Sequence, residues 1–253
     1  MLAVFLFGCE GGLDALVAGG DKVDGSTIEG GSDGGDAGTT TCPAGAFCDD
    51  FESQPLVPPR WSIEDDTGRG QVSIVDREGR RGTRALRAAT PMTGESGASV
   101  QHPLGSARTT GVIAVRAWFT LATGTPVPPN ASLVEIRRAG RVRGGISLKL
   151  FGDKLGIDVT DANGVSRSPG APMATGLVPG TFVCLRIVVD LGTAGRIRVL
   201  RNEDTVIDTP ADTLVGTAGW EAVSLGLAFV GNTPGAVALV DDVVIADAPV
   251  GCE

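Results

Sequence analysis

From residue 47 onward the apolar positions recur with a period of two. Alternating, β-branched runs occupy 71–75, 111–121, 131–137, 146–150, 155–159, 182–191, 196–200, 223–230 and 236–245. Such runs predict strands with one buried face. The stretches GDKLG, DANG, PGAPMATG, LGTAG and NTPG stand between them and carry turn chemistry. No segment holds apolar residues at helical spacing for three turns. The pattern therefore predicts an all-β sandwich of two antiparallel sheets.

Alternation also separates the faces. In VIAVRAWFTL the dry set is Ile113, Val115, Ala117, Phe119 and Leu121, with Arg116 and Trp118 on the other side. In FVCLRIVVDL, Val183, Leu185, Ile187 and Val189 point inward, and Cys184 and Arg186 outward. Val134 and Ile136 oppose Leu133, Glu135 and Arg137; Ile146, Leu148 and Leu150 oppose Ser147, Lys149 and Phe151.

Charge changes the picture mainly at the N-terminus. Of the formal −9, residues 10–41 carry −6, from seven acids against Lys22. No basic surface for nucleic acid is present. Residues 10–41, rich in Gly, Asp and Thr, cannot bury enough apolar surface to offset their conformational entropy, so a disordered tether is expected there. The preceding LFGC resembles a bacterial lipobox, with residues 1–9 as a lipoprotein signal remnant and Cys9 as the lipidated residue. That resemblance implies an exported protein held by a lipid anchor at the cell surface or in the periplasm. No later apolar run has the length of a membrane-spanning helix.

Three landmarks fall in order after the tether: DDFES followed by Trp61, EGRRGTRALRAAT at 78–90, and VDDVVI at 240–245. With the hairpin TFVCLRIVVDLGTAGRIRVLRNEDTVID (181–208), they make most of Cys42 to Cys252 similar to concanavalin A-like lectin/glucanase (laminin G-like) domains and related carbohydrate-binding modules. The resemblance implies a jelly roll over 42–253 whose first and last strands lie side by side, antiparallel. Asp50, Glu52, Asp241 and Asp242 would then meet. Clustered carboxylates need a cation or hydrogen-bond donors, and the resemblance implies a structural calcium ion; a solvated acidic rim is the alternative. With Phe51 opposite Val243, Cys42 faces Cys252 and leaves Cys48 for Cys184. The rival pairing is Cys42–Cys48 with Cys184–Cys252.

Resemblance to this fold also raises hydrolase and lyase chemistry. The hydrolase pattern Glu-x-Asp-x-x-Glu is absent, because Glu64-Asp65-Asp66 and Glu203-Asp204 lack the third acid. The lyases' Tyr and His are scarce: the chain has no tyrosine, and its one histidine, His102, precedes a proline, as in a loop. The expectation is a non-enzyme. Arg116, Trp118, Glu135, Lys149, Phe151 and Arg186 form the candidate carbohydrate face, beside Arg137 and Arg198, and its cations suggest an acidic polysaccharide or cell-surface glycan. The alternatives are a structural or adhesive surface protein without a small ligand, and an atypical polysaccharide-degrading enzyme.

Overall fold

A computed structural model describes residues 42–53, 55–64, 70–91, 94–140, 145–161, 164–168, 176–192, 194–210, 219–231 and 235–253. The expectations for Cys9 and for the 10–41 tether lie outside the described residues. The strands in chain order are β1 (Phe47–Asp49), β2 (Ser62–Glu64), β3 (Gln71–Asp76), β4 (Arg84–Ala89) and β5 (Ser96–Arg108). Next come β6 (Val112–Leu121), β7 (Ala131–Arg138), β8 (Gly145–Phe151), β9 (Lys154–Thr160) and β10 (Ser166–Arg167). The last five are β11 (Val183–Asp190), β12 (Arg196–Arg201), β13 (Asp204–Pro210), β14 (Trp220–Val230) and β15 (Val237–Ala246). The described residues contain no helix.

Two antiparallel sheets form the sandwich. One runs β13-β12-β11-β6-β15-β4-β3, with β1 also on β15; the other runs β10-β9-β8-β7-β14-β5-β2. The apolar sets expected on β6, β7, β8 and β11 meet between the sheets, around the fully buried Trp61, Phe51 and Phe119. Leu133, expected outward, joins the same core where the β7 register shifts between Ser132 and Val134. Neighbours in register must share a face, so one row shows the logic: Ile63, Val100, Leu225, Val134, Leu148 and Ile157 pair in turn across the second sheet. All but Ile63, which is on the edge strand, are buried.

The first and last strands are antiparallel neighbours, as expected, but their register differs. Phe47 pairs with Ile245, Cys48 with Val244 and Asp49 with Val243, two residues from the expected alignment. The reason is local. The Asp49 side chain accepts the Phe51 N–H at 2.9 Å, which turns the chain out of the strand, and Phe51 enters the core at positive φ. Cys42 therefore never reaches Cys252. The disulfides are Cys42–Cys48 and Cys184–Cys252, which replaces the favoured pairing. A turn at 43–46, closed by the Ala46 N–H on Pro43 O at 3.0 Å, brings the first pair together.

Two further departures matter. Strand β5 was not expected, because SGASVQHPLGSAR shows little apolar alternation. Its N-terminal half is buried through small residues, Ser96, Ala98 and Ser99, with Val100. His102 accordingly lies in a strand rather than a loop. It stacks on Phe47 with ring centroids 3.7 Å apart and hydrogen-bonds through Nδ1 to Arg60 O at 2.9 Å. Burial and the nearby Arg60 charge hold its pKa below the ordinary value, against the opposing Arg60 carbonyl and Asp49. In β15, the register on β6 shifts between Asp241 and Val244, with Asp242 at φ 48°, so VDDV is a bulge rather than a regular strand.

Candidate functional site

The expected carbohydrate residues divide between two sheets. Arg116 and Trp118 on β6 and Arg186 on β11 belong to the outer face of the eight-stranded sheet, where Arg186 pairs with Arg116 and Cys184 with Trp118. The chain's own C-terminal segment crosses this face. Arg116 Nη1 donates to Gly251 O at 3.2 Å and Glu253 O at 3.0 Å, and Arg186 Nη1 donates to Val250 O at 2.9 Å. Arg186 Nη2 also donates to Glu203 Oε2 at 2.7 Å. The Cys184–Cys252 bond fastens the same segment. Both guanidiniums are buried, and burial holds Arg116 below its ordinary pKa, with Asp242 opposing and Arg81, Arg80 and Arg186 reinforcing. Trp118 is covered from the other side: the Arg80 guanidinium carbon stands 3.3 Å from its ring centroid, and Asp242 Oδ2 accepts from Arg80 Nη1 at 2.7 Å. Arg198 lies in β12, opposite Asp208 of β13. Arg116, Trp118 and Arg186 are engaged with the domain's own parts and are not an open sugar platform.

The four expected metal ligands separate as well. Among the described residues no three His, Cys, Asp or Glu side chains converge as a metal site. Asp50 Oδ1 accepts the Glu52 N–H at 3.1 Å, and Asp242 is taken up by Arg80. Glu52 and Asp241 stay close to each other and share one loop. Glu52 accepts from the Arg84 N–H at 2.7 Å and the Thr83 hydroxyl at 3.0 Å, and Asp241 from the Arg80 N–H at 2.7 Å. Burial first, then the Asp242 and Glu52 charges, raise the Asp241 carboxyl to about 6 against the Arg80 and Asp242 N–H groups. A Cβ on Gly82 would collide with Glu52 Oε1, so the carboxylate would have to shift. Asp49, which was not among the expected ligands, is instead a structural hub that accepts from Trp61 Nε1 at 2.6 Å and Arg60 Nε at 2.7 Å.

The seven-stranded sheet carries the candidate site on its outer face. Ser62, Gln101, Ser224, Glu135, Ser147 and Asp158 pair in turn across β2, β5, β14, β7, β8 and β9, a polar row beside the apolar one. One step along, Glu64 pairs with Ser99, and Ser99 with Gly226. Glu64 Oε1 forms an ion pair with Arg137 Nη1, and Arg137 Nε lies 3.9 Å from Glu135 Oε2. Ser224 and Ser99 donate to Glu64 Oε2 at 2.8 and 3.2 Å; Ser147 donates to Glu135 Oε1 at 3.3 Å. Lys149 Nζ lies 2.9 Å from Asp158 Oδ2. Glu135 is 7% exposed, Arg137 4% and Ser224 0%, so this outward face is recessed.

Aromatic rings flank the cluster. Lys149 stands 5.6 Å from the Phe229 ring centroid, and half-buried Phe151 lies over Gly156, where a Cβ would come within 2.6 Å of Phe151 Cε2. Only a glycine leaves the ring room to lie flat. The structure thus joins Glu135, Lys149 and Phe151 on one face and removes Arg116, Trp118 and Arg186 from it. Glu64, Ser99, Ser224, Asp158 and Phe229 were missed. Glu64 lies in a three-residue strand too short to show alternation, and the three-acid motif search passed over it because its partner acid comes from another strand.

No protein-family model and no curated protein sequence matches the chain. Solved structures do. The cellulose-induced protein Cip1 superposes with a TM-score of 0.63 at 18% identity, over 82% of this chain and 100% of that one. An endo-β-1,4-glucuronan lyase from the fungus Trichoderma reesei gives 0.61 at 16% identity, over 79% and 94%. Alginate lyase A1-II′ gives 0.51 at 11% identity, over 73% and 96%. The chain has the concanavalin A-like jelly-roll fold. Two of these neighbours are polysaccharide lyases, which overturns the expectation of a non-enzyme. Neither the missing Glu-x-Asp-x-x-Glu motif nor the absent tyrosine excludes catalysis when acids converge from separate strands.

Proposed function

We propose that this protein recognises a polysaccharide along the recessed outer face of its seven-stranded sheet. The observation that carries the reading is the Glu64–Arg137–Glu135 cluster with Phe151 and Phe229 beside it. Sugar sites combine a flat apolar ring for the pyranose face with fixed polar groups for hydroxyls, and this face supplies both. The polysaccharide-directed names of the structural neighbours favour the same ligand class. The test is isothermal titration of the intact protein with a panel of oligosaccharides. Phe151→Ala should weaken binding at least about tenfold while the fold persists, since ring stacking contributes on the order of 1 kcal/mol or more. Equal binding by the variant sinks this site.

Cleavage of the polysaccharide is a second reading, favoured by two carboxylates, Glu64 and Glu135, brought to one face from separate strands, since acid–base chemistry on a sugar uses such a pair. Reducing-end release detects hydrolysis, and absorbance of unsaturated uronates detects elimination. Loss of either signal in both Glu64→Gln and Glu135→Gln supports the assignment; retained activity in both removes it.

Calcium is proposed at Glu52 and Asp241, where it would offset their mutual repulsion and tie the first segment to β15. Free calcium should then raise the melting temperature, and Glu52→Gln or Asp241→Asn should abolish the rise. An unmoved melting curve leaves the pair without an ion. Export as a lipoprotein anchored through Cys9 completes the reading; Cys9→Ser should shift the protein out of the detergent phase.

A further inference from the structure

We infer that the polysaccharide taken by this face is uncharged rather than acidic, an inference that rests on the polysaccharide reading above. The count of charges on the face decides it. Its central carboxylates are Glu64, Glu135 and Asp158; its central cations are Arg137 and Lys149. Arg137 is ion-paired with Glu64 and lies within reach of Glu135, and Lys149 is ion-paired with Asp158. Both cations are deeply shielded, with side-chain exposures of 5% and 13%.

The other cations that raised the acidic expectation, Arg116, Arg186 and Arg198, lie on the eight-stranded sheet. Arg116 and Arg186 hold the C-terminal segment on the opposite sheet. Arg138 stacks on Trp220, and exposed Lys154 pairs with Phe151 at the end of the β8–β9 hairpin, at the rim of the face rather than its centre. A uronate carboxylate entering the centre would have to displace Glu64 or Asp158 from its partner. That exchanges one carboxylate for another, leaves the displaced acid in a shielded place, and adds a like charge where acids already exceed bases. A neutral sugar meets no such conflict. Its hydroxyls donate to carboxylate oxygens as charge-assisted hydrogen bonds and to the Ser62 and Ser147 oxygens, accept from the Gln101 amide, and its ring lies against Phe151. The face therefore differs in its chemistry from what the lyase neighbours' acidic substrates require, although the fold is shared.

The test is titration of the intact protein with matched neutral β-gluco- and xylo-oligosaccharides, and with oligoglucuronate and oligoalginate of equal length. Neutral chains should bind at least about tenfold tighter, with little salt dependence. Asp158→Asn, which releases Lys149, should raise uronate affinity several-fold. Tighter binding of uronates by the unmodified protein, weakened by Phe151→Ala, overturns this inference and leaves the polysaccharide reading standing. Binding of neither class overturns both.

Discussion

The two sheets show opposite fates of the same sequence pattern. Each places arginines at alternate positions facing away from the core. On the eight-stranded sheet, Arg116 and Arg186 meet backbone carbonyls of the C-terminal segment, and Trp118 meets Arg80, so the face is closed by the chain itself. On the seven-stranded sheet, Arg137 meets two carboxylates from β2 and β7, and serines complete their hydrogen bonding. An outward guanidinium is thus a clamp where the chain's own C-terminal segment crosses it and part of a polar site where acids from neighbouring strands gather round it. Alternation reports only that a residue faces away from the core, not what it will meet there.

The largest expected effect tests this contrast directly. Arg137→Met strands Glu64 and Glu135 in a shielded place and should cost about 3–5 kcal/mol in chemical denaturation, the usual penalty for breaking a buried ion pair. Arg116→Met removes hydrogen bonds to carbonyls only, and about 1–3 kcal/mol is expected. Equal costs would mean that the two faces are energetically alike.

The disulfides sharpen the same difference. Cys184–Cys252 spans 68 residues and closes the covered face, whereas Cys42–Cys48 spans 6. Loop-closure entropy predicts a loss of about 4 kcal/mol on removing the first and about 2 kcal/mol on removing the second. Thermal melts of the two Cys→Ser double variants check the order.

Next comes a pair of aromatic truncations. Trp118→Ala should destabilise by about 2 kcal/mol, from lost packing and stacking under Arg80, and leave glycan affinity unchanged. Phe151→Ala should do the reverse. If Trp118→Ala removes binding from a folded protein, the sites have been assigned to the wrong sheet.

The smallest effect is a pH dependence outside both faces. His102 is held below its ordinary pKa of 6.5, so the unfolded chain takes up its proton first as pH falls. This group's contribution is therefore present above about pH 6.5 and is lost on acidification through the folded pKa. His102→Phe should flatten the melting temperature between pH 7 and 5, a change of about 1 kcal/mol or less given the partial exposure. An unchanged slope would assign the dependence to other groups.

Much of the fold was legible because alternation survives along long, β-branched strands: β6, β7, β8 and β11 and their inward sets follow from hydropathy alone. Strand β5 was illegible because its buried residues are small, and closeness of Ala98 or Ser99 to a neighbouring sheet carries no apolar signal. Terminal pairing followed from the resemblance that the motifs carry, but its register did not. That register turns on one side chain, since Asp49 bends the chain at Phe51, and a two-residue slip sufficed to redirect both disulfides. In the site, Glu135, Lys149 and Phe151 were readable as outward residues of adjacent strands. Glu64 and Asp158 were not, because what makes them partners of Arg137 and Lys149 is the strand order β9-β8-β7-β14-β5-β2. By itself the sequence determined which residues of the long, alternating strands face the core, a property of each strand's own period. Only the tertiary structure decided which outward charges meet, because pairing energies fall with distance and distances between strands are set by sheet order.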